Sequence, residues 1–248
     1  MNSFPQAWVF DLDGTLVQTE TLKADSYHST LTRIVSSVSR TAAHEHYSTV
    51  VGRSGEEVAR SFVDRFTSPE AIHAVLDAEP DEPAWATFYR LRKAEYARLL
   101  DDPDSLRLVA CPYNRRLLEQ IRNQGGRTAL ATMSHRPQVA RVLDVLDLKE
   151  SFEFVATRDD VEHGKPDPEI YRFVFDGLGV DATQAAIIED SPSGAKAALA
   201  SGARVVVVVN DITRDAIAKV AWPDDRSVVL ESDEGLEPAV MQWIRAGR

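Results

Sequence analysis

Ala7-Trp8-Val9-Phe10-Asp11-Leu12-Asp13-Gly14-Thr15 is the stretch from which the rest of the chain is read. Four apolar residues in a row, without alternation, suggest a strand buried on both faces, as in a parallel sheet. The run ends in two aspartates two positions apart, and Gly14 permits the chain to turn there. Carboxylates just past a buried strand reach the crevice where such sheets gather their chemistry.

Outward from this strand the chain changes character twice. From about Glu20 to Asp104 strand-like runs are missing. Trp85, Phe88, Tyr89, Tyr96, Leu99 and Leu100 recur at helical steps, broken by the amphipathic Arg92. Pro69, Pro80, Pro83 and Pro103 divide this segment into several helices. After Pro112 helices and strands alternate. Helices are expected around Leu117–Ile121, Val139–Leu146, Ile170–Phe175 and Ser193–Ala200, and strands at Thr128–Thr132, Phe152–Ala156, Ala185–Ile188 and Arg204–Val209. Repeated βα units imply an α/β fold, a Rossmann-like doubly wound parallel sheet with an inserted α-helical domain. The expected division is residues 1–18 and 106–248 for the α/β core and 19–105 for the helical insertion.

Composition narrows the partners. The 248 residues carry a net charge of −11, with 44% hydrophobic and 27% charged residues, an ordinary balance for a soluble globular protein. That charge argues against nonspecific binding to nucleic acid or to an anionic membrane, both polyanions. An anionic ligand therefore needs a local positive site. The single cysteine, Cys111, excludes an internal disulfide and a thiolate-built metal site. The first residues, Met1 to Gln6, lack the features of a signal peptide, and the strongest apolar run, Ala203–Val209, is too short to span a bilayer. A soluble, cytoplasmic protein is expected. The oligomeric state stays open, and a monomer is compatible with it. Leu236, Val240, Trp243 and Ile244 form a helical stripe that covers either the core or a partner, with the core favoured.

Four strand ends carry polar residues. Asp11 and Asp13 offer a nucleophile and a proton-transfer group, or simply an Asp-Gly turn. Thr132, Met133 and Ser134 offer hydroxyls and backbone N–H groups to an oxyanion, or a helix N-cap through Ser134. In Gly164-Lys165-Pro166-Asp167-Pro168, Lys165 sits on a stiff backbone and can neutralise a phosphate, while Asp167 and Pro168 read as the start of a helix. Glu189 and Asp190 offer hard oxygen ligands to Mg2+, or Asp190 or Ser191 caps the next helix.

Each motif alone is weak, but the four in this order resemble the haloacid dehalogenase superfamily, whose members are mostly phosphatases. The resemblance covers roughly residues 1–18 and 106–232. It implies that Asp11 is the nucleophile and a Mg2+ ligand, and that Asp13 is the general acid/base and lends its carbonyl to the metal. It further implies Asp190 as the third protein ligand with Glu189 a supporting acid, Thr132 and the Met133 N–H as phosphate donors, and Lys165 as the clamp on phosphate and nucleophile. An acid two residues after the nucleophile is not usual in the dehalogenases, so the resemblance implies phosphoryl transfer: a Mg2+-dependent phosphatase acting on a small phosphorylated metabolite such as a sugar phosphate. The alternatives are a phosphomutase and a non-catalytic phosphate-binding regulatory protein.

The helical insertion resembles the cap of the β-phosphoglucomutase-like branch, which implies closure over the crevice about hinges near Val17–Thr19 and Ser105–Cys111. Val51-Gly52-Arg53-Ser54-Gly55-Glu56-Glu57-Val58 resembles the cap's specificity segment, with Gly52 and Gly55 allowing close backbone approach and Arg53 reaching a substrate group or solvent. Lys23 stands where the mutase has a histidine, and Gly55 where it has an arginine; both departures favour a hydrolase. Lys23 is a candidate substrate contact from the first cap helix. His28, His44 and His46 read as surface or packing histidines, and Trp85, Phe88, Tyr89 and Tyr96 as cap core.

Overall fold

A computed structural model of the chain describes residues 4–51, 53–223 and 225–246. Two compact units emerge: one runs to Gln18 and resumes at Ala110, the other is Thr19–Val109.

The first unit begins with β1 (Ala7–Phe10), and among the described residues the second comprises the helices α1 (Thr19–Thr32), α2 (Arg40–Val50), α3 (Gly55–Phe66), α4 (Pro69–Val75), α5 (Ala84–Asp101) and α6 (Pro103–Leu108). The first unit then continues with α7 (Pro112–Asn123), β2 (Arg127–Ala131), α8 (Arg136–Val145), β3 (Phe154–Ala156), α9 (Glu169–Leu178), β4 (Ala185–Glu189), α10 (Pro192–Ser201), β5 (Arg204–Val209), α11 (Arg214–Ala218), β6 (Ser227–Glu231) and α12 (Leu236–Ala246).

The sheet is parallel throughout, in the order β3-β2-β1-β4-β5-β6. The order reverses beside β1, since β2 and β3 build to one side and β4, β5 and β6 to the other. Phe10 aligns with Leu130 of β2 and Ile188 of β4, and Ile188 aligns with Val206 of β5. The residues just after these strands therefore meet at one sheet edge, at the topological switch where α/β sheets bind ligands. β1 is buried along its whole length, as its unbroken apolar run requires. β6 was not expected. It is an edge strand with Val229 and Glu231 exposed, and its apolar run of three residues, Val228–Leu230, is shorter than the continuous run of β5. Leu236, Val240 and Ile244 of α12 are buried, and α12 packs on α7 and β6, so the stripe covers this unit's own core. Met241 is the fourth buried member, and Trp243 is only half-buried.

Aromatic side chains fill the helical unit. Tyr27 stacks on Phe62 at 4.4 Å between ring centroids, and Phe88 lies buried beside both. Trp85 and Tyr89 pack at its edge, partly buried. Three of the unit's histidines bond inside it: His28 to the Val38 carbonyl, His44 to Asp25 and His46 to Ser61. The unit extends to Val109, four residues past the expected boundary at 105. The reason is α6, whose first N–H groups are capped by the Asp102 carboxylate and which packs against α5. Gly52 lies outside the described residues. Among the described residues, no helix is long and apolar enough to cross a membrane.

Candidate active site

Lys165 and three carboxylates form the centre of the sheet edge. The Lys165 ammonium donates to Asp11 Oδ1 at 2.6 Å, to Glu189 Oε1 at 2.7 Å and to the Ala131 carbonyl at 3.1 Å. Its side chain is only 5% exposed. Burial works against the charged ammonium, but the Asp11 and Glu189 carboxylates outweigh it and hold Lys165 well above its ordinary pKa. Lys165 reaches this point from a loop joined to Pro166 by a cis peptide bond. The helix after the loop begins one residue later than expected, at Glu169, whose N–H is accepted by the Asp167 carboxylate at 2.9 Å.

Asp11, Glu189 and Asp190 each present an oxygen within 4.8 Å of the others. Burial pushes the Asp11 carboxyl up to about 8, with Glu189 and Asp13 adding repulsion that Lys165 offsets only in part. Asp190 is raised well above the usual range, by burial and then by the charges of Glu189 and Asp11. Glu189 goes the other way: burial opposes ionisation, but Lys165 and the donors around it hold its carboxyl below the ordinary value. Three buried carboxylates thus face one ammonium, which leaves room for two further positive charges.

Glu189 was expected among the metal ligands. Its Oε1 accepts from Lys165 and from the Tyr171 hydroxyl at 2.9 Å, and its Oε2 accepts the Asp190 and Ser191 N–H groups and the Ser191 hydroxyl, each at 3.0 Å. Five donors occupy the carboxylate, so it holds Lys165 and the turn after β4 in place. Gly194 belongs to this arrangement, because a Cβ there would lie 1.7 Å from Glu189 Oε1. Ser191 is the N-cap of α10, accepting the Gly194 N–H at 3.0 Å, and Asp190 is left for the site.

Asp13 lies in the turn after β1. Its Oδ2 accepts from the Ser134 hydroxyl at 2.6 Å and the Thr132 hydroxyl at 3.2 Å. Ser134 therefore does not cap α8, whose first N–H instead meets Asp159 at 2.8 Å. Thr132 also accepts the Ser134 N–H, and its own N–H is taken by the Ala156 carbonyl. Met133 is half-buried and packs against the sheet core. Gly14, at φ 90°, has no room for a side chain, since a Cβ would lie 2.0 Å from Asp190 Oδ2.

Three supporting residues escaped the sequence reading. Asn210, just after β5, donates to Asp190 Oδ2 at 2.8 Å and to the Gly14 carbonyl at 3.2 Å. Asn114 of α7 donates to the Thr15 carbonyl and accepts from Ser232. Tyr171 of α9 anchors Glu189, with Lys165 5.1 Å over its ring. The only available signal was position: Asn210 is a polar residue following a strand in the same way as Asp11 and Asp190.

The two remaining candidates lie in the helical unit. Lys23 pairs with Glu20, whose other oxygen accepts the Tyr47 hydroxyl at 2.5 Å, and Arg53 is exposed. Both line a hollow of about 280 Å³ with Arg92 and Tyr89.

Comparison with known proteins agrees with this architecture. Residues 8–208 match the haloacid dehalogenase-like hydrolase family. A phosphorylated carbohydrates phosphatase of Thermotoga maritima is 26% identical over 208 residues, 84% of this chain and 87% of that one. A phosphoglycolate phosphatase of Rhodospirillum rubrum is 31% identical over 220 residues, 87% and 84% of the two chains. The crystal structure of a HAD family hydrolase from Deinococcus radiodurans with bound phosphate and sodium superposes with a TM-score of 0.72 at 23% identity, covering 98% of this chain and 97% of that one, a likeness of fold. The chain belongs to the haloacid dehalogenase-like hydrolases.

Proposed function

We propose that the chain is a Mg2+-dependent phosphatase that hydrolyses a small organic phosphate, such as a sugar phosphate, through a phosphoaspartate on Asp11. The observation that carries this is the Asp11 carboxylate, held by Lys165 at 2.6 Å beside two more buried carboxylates at the switch point of the sheet. The donor set fits Mg2+, which prefers hard oxygens. Asp11, Asp190 and the Asp13 carbonyl would hold it, and the charge deficit of the cluster is that of a divalent cation. When bound, it supplies the positive charge that keeps Asp11 ionised and attracts the phosphoryl group.

Lys165 orients Asp11 and neutralises the incoming phosphate. An Asp11 oxygen attacks phosphorus as the ester P–O bond breaks, and Asp13 gives its proton to the leaving oxygen. A water then attacks the phosphoaspartate and passes its proton to Asp13, releasing inorganic phosphate and restoring Asp11. Thr132 and Ser134 fix the Asp13 carboxylate for both transfers. The Met133 N–H is the proposed phosphate donor of this loop, since Thr132 and Ser134 give their hydroxyl protons to Asp13 rather than to the phosphate, and Lys23 and Arg53 are the proposed substrate contacts of the helical unit.

Relatives named for phosphatase activity on phosphorylated carbohydrates and phosphoglycolate support hydrolysis. So does Gly55. A Cβ there would lie 2.1 Å from the Tyr89 hydroxyl, so the tyrosine occupies the space into which the mutase's arginine would begin. The test is phosphate release from a panel of phosphomonoesters with Mg2+, beside Asp11→Asn. Hydrolysis that needs Mg2+ and Asp11 is expected. An isomeric phosphoester in place of free phosphate would establish the mutase, and silence across the panel would defeat the enzyme reading.

A further inference from the structure

We infer that Glu169 is a positioning residue for Lys165, acting through the loop that carries the ammonium to Asp11. Its consequence for turnover rests on the phosphatase reading. Residues 161–168 form an irregular loop between β3 and α9, with Lys165 in its turn. A loop places a side chain less precisely than a helix or strand does, and a lysine adds a flexible four-carbon stem. The Lys165 nitrogen nevertheless meets Asp11, Glu189 and the Ala131 carbonyl at once. Its backbone must therefore be fixed by something else.

Glu169 does this from the first turn of α9. Its Oε1 accepts the Glu162 N–H at 2.8 Å, and its Oε2 accepts the His163 N–H at 2.8 Å and His163 Nδ1–H at 2.9 Å. One carboxylate thus joins the stem that enters the turn to the helix that leaves it. The turn itself is closed by the Asp167 N–H, which donates to the Gly164 carbonyl at 3.0 Å. Arg158 braces the entering stem on its other side, donating to the Val161 carbonyl at 2.6 Å and the Glu162 carbonyl at 3.2 Å. The Glu162 and His163 N–H groups and the His163 ring hold the Glu169 carboxyl below its ordinary pKa, so it is ionised at neutral pH. All three partners are donors, and a carboxylate offers acceptors alone, whereas a glutamine of the same shape would set its own NH2 group against one of them. Among the described residues Glu169 makes no hydrogen bond to Lys165 itself, so it acts through the backbone.

Reductive methylation of the full chain in chelator, followed lysine by lysine with mass spectrometry, tests this without the reaction. Lys149, 58% exposed, is the internal reference. Lys165 is expected to react far more slowly than Lys149 in the parent, severalfold faster in Glu169→Gln, and faster still in Glu169→Ala. Amide exchange in β1 and β4 stays unchanged in Glu169→Gln. Lys165 labelling in both variants that matches the parent overturns the role. So does a rise in Glu169→Gln that comes with faster exchange throughout β1 and β4, because that is global opening. In phosphate release, kcat should fall about tenfold in Glu169→Gln and about a hundredfold in Glu169→Ala, the effect of a catalytic group displaced by about 1 Å, while KM holds. A change confined to KM would make Glu169 a substrate-binding residue and overturn its assignment to Lys165. A parent chain that hydrolyses no ester defeats the proposed function and leaves the labelling to decide the role of Glu169.

Discussion

Asp11 and Lys165 show how far single side chains set the properties of the site. Asp11→Asn keeps an acceptor for the Lys165 ammonium and removes one of three crowded charges, in a group whose pKa burial lifts to about 8. The variant should melt higher than the parent in chelator and release no phosphate; full turnover would remove Asp11 from the chemistry. Lys165→Met has the opposite effect on stability, because it strands Asp11 and Glu189 without their cation. Losing one partner of a buried ion pair costs about 3–5 kcal/mol, so a fall of that size in chelator-treated protein is expected by denaturant titration. These residues were legible because each sits in a short motif at the end of a recognisable strand. Tyr171 was not, although its hydroxyl anchors Glu189, because within α9 it reads as one more apolar position of a core-facing stripe.

Strand ends are the elements that assemble the site. The register that sets Phe10 beside Leu130 and Ile188 puts Asp11, Thr132 and Asp190 at one edge, and any one of these strands alone positions nothing. β5 contributes too, through Asn210, which ties Asp190 to the Gly14 carbonyl. Removing such an outer partner typically weakens a metal site about 10–100-fold, and Asn210→Ala should shift the Mg2+ dependence of phosphate release by that order while Tm moves little. An unchanged Mg2+ requirement would show that Asp190 does not depend on this tether. The buried parallel strands β1, β4 and β5 were readable from their continuous apolar runs. β6 was not, since its apolar run is only Val228–Leu230, three residues between Ser227 and Glu231, which carry little signal. The N-cap expected at Ser134 failed for a related reason: sequence cannot say that Asp13, 121 positions earlier, competes for the same hydroxyl.

At the scale of the whole molecule, each unit contains an apolar cluster of its own, from which separate stabilisation of the two units is predicted. One core gathers the sheet with α9 and α10, the other the aromatic cluster around Tyr27, Phe62 and Phe88. The insertion of one unit into the other was visible as a loss of strand-like runs, but its end was missed because a short proline-led helix, α6, resembles a linker in sequence. A divalent cation held by Asp11, Asp190 and the Asp13 carbonyl would bind only the folded first unit and would stabilise it by mass action, by about 2.7 kcal/mol at a hundredfold excess over its dissociation constant. Mg2+ should therefore slow hydrogen exchange in β1, β4 and β5 and leave global-opening rates in α1, α3 and α5 unchanged. Phe62→Ala should do the reverse, raising exchange in those helices through loss of a stacked, fully buried ring, which costs about 3–5 kcal/mol. Protection that rises or falls in both units together under either change would mean that the chain unfolds as one cooperative block, and the two cores could not then be treated as independent.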